Sequence, residues 1–287
     1  MESFYSILEK RVEESGSLLC VGLDPHPEDL ESANADSART FCSRIIKATL
    51  PHAAAFKPNA AFFELLGPEG WRLLKEIIRL IHDEGEKQGA KIPVILDAKR
   101  GDIASTAAAY AKSAFEVMGA DAITLNPYLG RDSIDPFLNH VGKGVFLLCK
   151  TSNKGAMDLQ DLRFVGGSEP GDKDGIFLYE HVASMAQAWN TSENIGLVLG
   201  ATHPDALIRT RRMAPYLWFL CPGIGAQGGD METALRNGLR KDGKGMLINL
   251  SRSLSRAKDP EKAAAQFNEQ VKETIKMLSE GKELNDR

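Results

Sequence analysis

The stretch Ile92-Pro-Val-Ile-Leu-Asp-Ala-Lys-Arg-Gly-Asp-Ile-Ala-Ser-Thr106 decides the fold. Its apolar run ends in four charged residues within six positions, Asp97, Lys99, Arg100 and Asp102. Pro93, Val94, Ile95 and Leu96 are apolar at both odd and even positions, the pattern of a short parallel strand buried on both faces. Asp97 and Lys99 lie two apart on extended backbone, so their side chains project from one face. Gly101 breaks the strand, and Asp102 opens an Ala-rich helix to about Met118.

Each charge also has a plain structural reading. Asp102 before a helix is an N-cap candidate. Arg100 reads as a solvated strand-end charge, and Asp97 with Lys99 as an ion pair worth about 0–1 kcal/mol if exposed. Against these stands their place at the carboxyl end of a buried strand, where α/β folds carry their chemistry.

The same alternation repeats outward in both directions. An amphipathic helix over 1–16 leads to an apolar strand at 18–23 that ends in Asp24-Pro25. A helix marked by Phe41, Ile45, Ile46 and Leu50 precedes a strand at 53–56, which ends at Lys57-Pro58-Asn59. A helix over 71–86 leads back to the opening stretch. Downstream, strands are expected at 122–125, 144–149, 196–199, 217–221 and 245–250. Helical patterns follow them at about 133–141, 175–189, 206–213 and 231–240, and Asp259 with Pro260 starts a last helix reaching about 279. Eight strand–helix units without a composition break favour a single (β/α)8 TIM barrel over 1–287, with a doubly wound open sheet as the alternative. A barrel demands functional groups at the carboxyl ends of its strands. Asp24, Lys57, Asn59, Asp97, Lys99, Ser152, Gln227 and Arg252 all fall there.

Composition narrows the function. With 43% apolar and 26% charged residues the chain is ordinary for a soluble globular protein, and a net charge of -4 argues against nucleic acid as partner. Cys20, Cys42, Cys149 and Cys221 lack paired Cys-x-x-Cys spacing, which favours buried thiols in a reducing compartment over disulfides or metal. No secretion signal, transit peptide or membrane span is expected, so the reading is cytoplasmic. The six histidines form no metal-ligand spacing and read as helix-surface or turn residues, with His203 at a strand end as a further candidate for the site. The long stretch over 154–173 reads as a lid or a solvated loop.

Barrels of this type often bind phosphate in the loops after strands seven and eight. The segment 222–230 has four glycines, so its backbone can approach an anion, and Arg252 supplies a fork of donors matched to phosphate oxygens. No Gly-x-Gly-x-x-Gly follows strand one and no Walker pattern occurs, which disfavours a nucleotide cofactor.

Asp24, Lys57-Pro58-Asn59, Asp97-Ala-Lys-Arg-Gly-Asp102, Pro222-Gly-Ile-Gly-Ala-Gln-Gly228 and Ser251-Arg252, in this order, resemble the orotidine 5'-phosphate decarboxylase family, in its longer branch with Lys-Pro-Asn after the second strand. The resemblance implies removal of carbon dioxide from orotidine 5'-monophosphate without metal or organic cofactor. It implies a charge array of Lys57, Asp97, Lys99 and Asp102, with Lys99 as proton donor. Asp102 and Thr106 would come from the neighbouring subunit of a homodimer. Asp24 and Lys57 would hold the ribose hydroxyls, Asn59 would help order the array, and Ser152 or its neighbour Thr151 would meet the pyrimidine. Gln227 and Arg252 would grip the phosphate. Ser251 departs from the shorter branch, where a glycine usually precedes the arginine.

Two competing readings remain at this level. Metal-dependent sugar-phosphate decarboxylases or aldolases of the same barrel lineage share Asp-x-Lys-x-x-Asp, but hold magnesium with a carboxylate where this chain has Lys57. A catalytically dead phosphate-binding or scaffold protein is the other, against which stand the intact Asp97, Lys99 and Asp102.

Overall fold

The computed structural model describes residues 2–164, 175–224 and 230–281. Eight strands form one parallel sheet: β1 (Leu19–Leu23), β2 (Ala55–Pro58), β3 (Ile95–Arg100), β4 (Ala122–Leu125), β5 (Gly144–Lys150), β6 (Ile195–Leu199), β7 (Trp218–Pro222) and β8 (Met246–Leu250). Their order around the sheet is β2-β1-β8-β7-β6-β5-β4-β3. Two parallel bridges, Phe56 with Val94 and Asn59 with Asp97, join the outer strands β2 and β3. They close the sheet into a barrel, as the eight strand–helix units require, and every residue of β1, β2, β4 and β6 is buried.

The strands run further than their apolar patterns. Lys57 and Pro58 belong to β2, and Asp97 to Arg100 belong to β3. The ladder continues where the side chains turn polar, because Lys57, Asp97 and Lys99 line the cavity at this end of the barrel instead of its packed interior. The expected N-cap role of Asp102 does not hold. Its Oδ1 accepts from the adjacent Ile103 N–H at 2.8 Å, Ile103 occupies the cap position, and the helix starts at Ala104. That helix, Ala104–Lys112, runs on through a π-type turn over Ser113–Val117. The helix expected after β4 shrinks to Asp135–Leu138, since two 3-10 turns and Gly130 at φ 89° take up the preceding chain.

After β5 the chain forms a 3-10 helix, Lys154–Asp158, and an antiparallel pairing of two two-residue strands, Arg163–Phe164 and Ile176–Phe177. The rest of the expected lid or loop, 165–173, lies outside the described residues. A four-residue helix, Arg252–Ser255, follows β8, and the last helix, Pro260–Glu280, is capped by Asp259, which accepts from Lys262 N–H at 3.0 Å.

The amino end of the barrel is sealed by the first helix, Phe4–Ser15, which Ser3 caps and Gly16 ends in the left-handed conformation at φ 56°. Phe4 and Tyr5 pack against Phe146, and the Tyr5 hydroxyl donates to the Val145 carbonyl at 3.1 Å. Burial pushes this phenol well above its ordinary range. Gly144 and Gly196 make room for the two rings: a β-carbon at the first would collide with Phe4, and at the second with the Tyr5 hydroxyl. The four cysteines are free and buried, as read from their spacing. Among the described residues, no helix is long and apolar enough to cross a membrane.

Candidate active site

The other end of the barrel opens into a cavity of about 620 Å³. Asp24 follows β1, Lys57 and Asn59 come from β2 and its exit, Asp97 and Lys99 from β3, Ser152 from the loop after β5, and Arg252 from the start of the short helix after β8; all of them line it. Thr151 lines it too, so both candidates for the ring contact remain in place. Asp102 and Thr106 do not line this cavity. Gln227 lies outside the described residues, so the glycine loop is represented by Pro222, Gly223 and Ile224.

Asp97 is the hub. Its Oδ2 accepts from Lys57 Nζ at 2.8 Å, and its Oδ1 accepts from Lys99 Nζ at 2.6 Å. The Thr124 hydroxyl donates to the same Oδ1 at 2.9 Å. Burial alone would raise the Asp97 carboxyl, but the charges of Lys57 and Lys99 and their hydrogen bonds hold it well below the usual carboxylate range. Burial likewise opposes the Lys57 ammonium, and the charges of Asp97 and then Asp24 outweigh it, so Lys57 stays well above its ordinary value. The two ammonium groups differ in access: the Lys57 side chain is 7% exposed, that of Lys99 49%. One is part of the cavity floor, and the other reaches into the space above it.

The wall beside β1 carries a second polar group. Ser251 Oγ donates to Asp24 Oδ2 at 2.5 Å, whereas Asp24 Oδ1 is buried and has no hydrogen-bond partner among the described residues. A buried acceptor without a partner, on a residue that lines a cavity, is suited to a ligand hydroxyl. Asn59 Oδ1 accepts from Ala61 N–H at 3.3 Å, and Asn59 bridges Asp97 across the closing seam, so it braces the hub through backbone. On the far side, Gln160 accepts from Thr151 N–H at 2.9 Å and donates to its hydroxyl at 2.8 Å, which fixes that loop.

Sequence reasoning missed His26, Phe62 and Thr124 as lining residues of the cavity. His26, read as a turn or surface residue, lines the cavity with Phe62, their rings 4.2 Å apart. His203 lines a neighbouring cavity instead. Thr124, the single polar residue of β4, was visible only as that exception in an apolar run. Arg100, read as solvated, pairs with Glu64 at 2.8 Å and lies over the Tyr110 ring.

Fold and site together define a (β/α)8 protein whose candidate chemistry is a Lys-Asp-Lys array at the carboxyl ends of adjacent strands. The chain belongs to the orotidine 5'-phosphate decarboxylase / HUMPS family, whose model matches residues 17–267. It is 50% identical over 242 residues to the orotidine 5'-phosphate decarboxylase of Roseiflexus sp. (strain RS-1), covering 83% of each chain. The solved Leishmania donovani OMP decarboxylase is 50% identical with a TM-score of 0.83, over 96% of this chain and 99% of that one. The Leishmania donovani UMP synthase is 51% identical with a TM-score of 0.85; the match covers 96% of this chain and 57% of that longer one.

Proposed function

We propose that the protein decarboxylates orotidine 5'-monophosphate to uridine 5'-monophosphate, the last step of de novo pyrimidine nucleotide synthesis, without metal or organic cofactor. The observation that carries this reading is one carboxylate, Asp97, held between two ammonium groups on the floor of a cavity in a chain of this family.

Losing the substrate carboxylate leaves an electron pair at C6 in the ring plane, where the pyrimidine π-system cannot delocalise it. The site must stabilise that carbanion electrostatically and then protonate it. Lys99 does both: its ammonium reaches into the cavity from its hold on Asp97 and delivers the proton to C6. Two charges about 4 Å apart interact by about 4 kcal/mol at an effective dielectric near 20, and each ~1.4 kcal/mol off a barrier is a factor of ten. Asp97 keeps Lys57 and Lys99 charged in a place where burial would neutralise an isolated lysine. Seated beside the departing carboxylate, it also repels the substrate and not the carbon dioxide product.

The remaining roles belong to the same reading. Asp102 completes the array of Lys57, Asp97 and Lys99. Asp24, through its unpartnered Oδ1, and Lys57 hold ribose hydroxyls. Asn59 orders the array, Ser152 meets the pyrimidine, and Gln227 and Arg252 grip the phosphate. Asp102 and Thr106 serve the cavity of a second subunit in a homodimer, in keeping with their standing off their own. The barrel works as one domain, and the free buried thiols suit the cytoplasm.

The test follows the ultraviolet absorbance of orotidine 5'-monophosphate with purified protein in excess EDTA, beside Lys99→Ala. The expected result is loss of orotate absorbance with the wild type alone. Lack of turnover in EDTA, with activity on a sugar phosphate restored by magnesium, would overturn the reading.

A further inference from the structure

Between β3 and β4 the register slips. Leu96 pairs with Ile123 and Arg100 with Leu125, so Asp97, Ala98 and Lys99 together oppose the single residue Thr124. The slack is taken up at Lys99, whose φ of 47° lies in the left-handed region. A lysine held there carries strain of order 1–3 kcal/mol and persists only where its surroundings fix it. A bulge also strips backbone amides of their ladder partners, and a buried amide must find another.

Thr124 supplies both needs from one atom. Its Oγ1, on a residue 1% exposed, accepts from Ala98 N–H at 3.1 Å and from Lys99 N–H at 3.0 Å. A hydroxyl has two acceptor sites and one proton. With both acceptor sites filled, the proton has a single destination, Asp97 Oδ1 at 2.9 Å. The hydroxyl is thereby saturated, and its orientation is dictated by the bulge it clamps.

We propose that Thr124 is a positioning residue: its hydroxyl fixes the left-handed backbone of Lys99 and the carboxylate of Asp97, so that the Lys99 ammonium is aimed for proton transfer. The proposal rests on the decarboxylase reading. It concerns only how the array is held, since the β4 hydroxyl acts through Asp97 and Lys99.

The experiment compares Thr124→Val, Thr124→Ala and Thr124→Ser for turnover of orotidine 5'-monophosphate and for affinity toward the product, uridine 5'-monophosphate. Valine keeps the shape and removes the hydroxyl, so kcat is expected to fall on the order of a hundredfold, the effect of slight misplacement of a reacting group. Product affinity, carried in this reading mainly by the phosphate contact of Arg252 and the ribose contact of Asp24, neither of which bonds Thr124 or Asp97, is expected to change by about threefold or less. Serine restores kcat to within about threefold of the wild type, because it keeps all three hydrogen bonds. If valine prevents folding, alanine carries the comparison with serine. Wild-type kcat in the valine or alanine variant, equal losses in serine and alanine, or product affinity falling in parallel with kcat would overturn the proposal. So would failure of the alanine or serine protein to fold, which would assign Thr124 to stability. An inactive wild type that still binds product would instead sink the decarboxylase reading.

Discussion

Lys57 and Asp97 meet at 2.8 Å across the seam between β2 and β3, with 7% and 10% of their side chains exposed. A charge pair this buried gains little over an apolar pair of similar shape, but removing one partner strands the other. Asp97→Ala is therefore expected to lose about 3–5 kcal/mol of stability, and Lys57→Met with Asp97→Leu to recover most of it. Both proteins are expected to be inactive. Urea denaturation of the single and double variants checks this; equal losses in the two would mean the pair is solvated.

The pair also fixes how stability responds to pH. The Asp97 carboxyl is lowered by folding, so its contribution is present above its unfolded value of about 3.9 and is lost as pH falls through the folded one. Lys57 is raised, so its contribution is present below its unfolded value of about 10.4 and is lost as pH rises through the folded one. The stability difference between wild type and the apolar double variant should be flat from about pH 5 to about pH 9. It should change only outside that window, as followed by denaturation midpoints across pH.

Ser251 holds one oxygen of Asp24, and the other is buried without a hydrogen-bond partner among the described residues. Loss of a hydrogen bond to a charged group costs about 1.5–3 kcal/mol, so Ser251→Ala should raise KM roughly tenfold or more. Turnover at saturation should stay within about twofold, since ribose binding acts equally on ground and transition states. Steady-state kinetics separate the two; an effect on kcat alone would place Ser251 in the chemistry.

Sharing of sites between subunits is tested by mixing inactive Lys57→Ala and Asp102→Ala proteins under conditions where chains exchange. In each mixed dimer one site keeps both residues, so random reassortment should restore about a quarter of wild-type activity. Mixed dimers seen by native mass spectrometry without regained activity would show that Asp102 serves its own subunit or none.

The barrel was legible because short apolar runs ending in charge recur at helical intervals, and the charged ends, Lys57, Asp97 and Lys99, were the site itself. What stayed hidden was backbone. No glycine marks the left-handed residue at Lys99, so the bulge in β3 leaves no trace in composition. Thr124 inside Ala-Ile-Thr-Leu looks like ordinary β-propensity, since a β-branched side chain suits any buried strand. The N-cap reading of Asp102 failed because an aspartate before a helix signals a cap only if the helix starts where expected, and this one starts one residue later, with Ile103 at the cap. Contacts such as Ser251 with Asp24 join strands distant in the chain, and no local pattern encodes them.

The aromatic plug at the amino end separates the molecule's two mouths by purpose. Phe4 and Tyr5 occupy space that Gly144 and Gly196 leave open, so the first helix is keyed to the barrel as a stopper to a bottle. The family match begins only at residue 17, beyond that stopper. A protein or tag joined ahead of Ser3 would therefore emerge from the sealed base, leaving the substrate's route at the opposite face unobstructed.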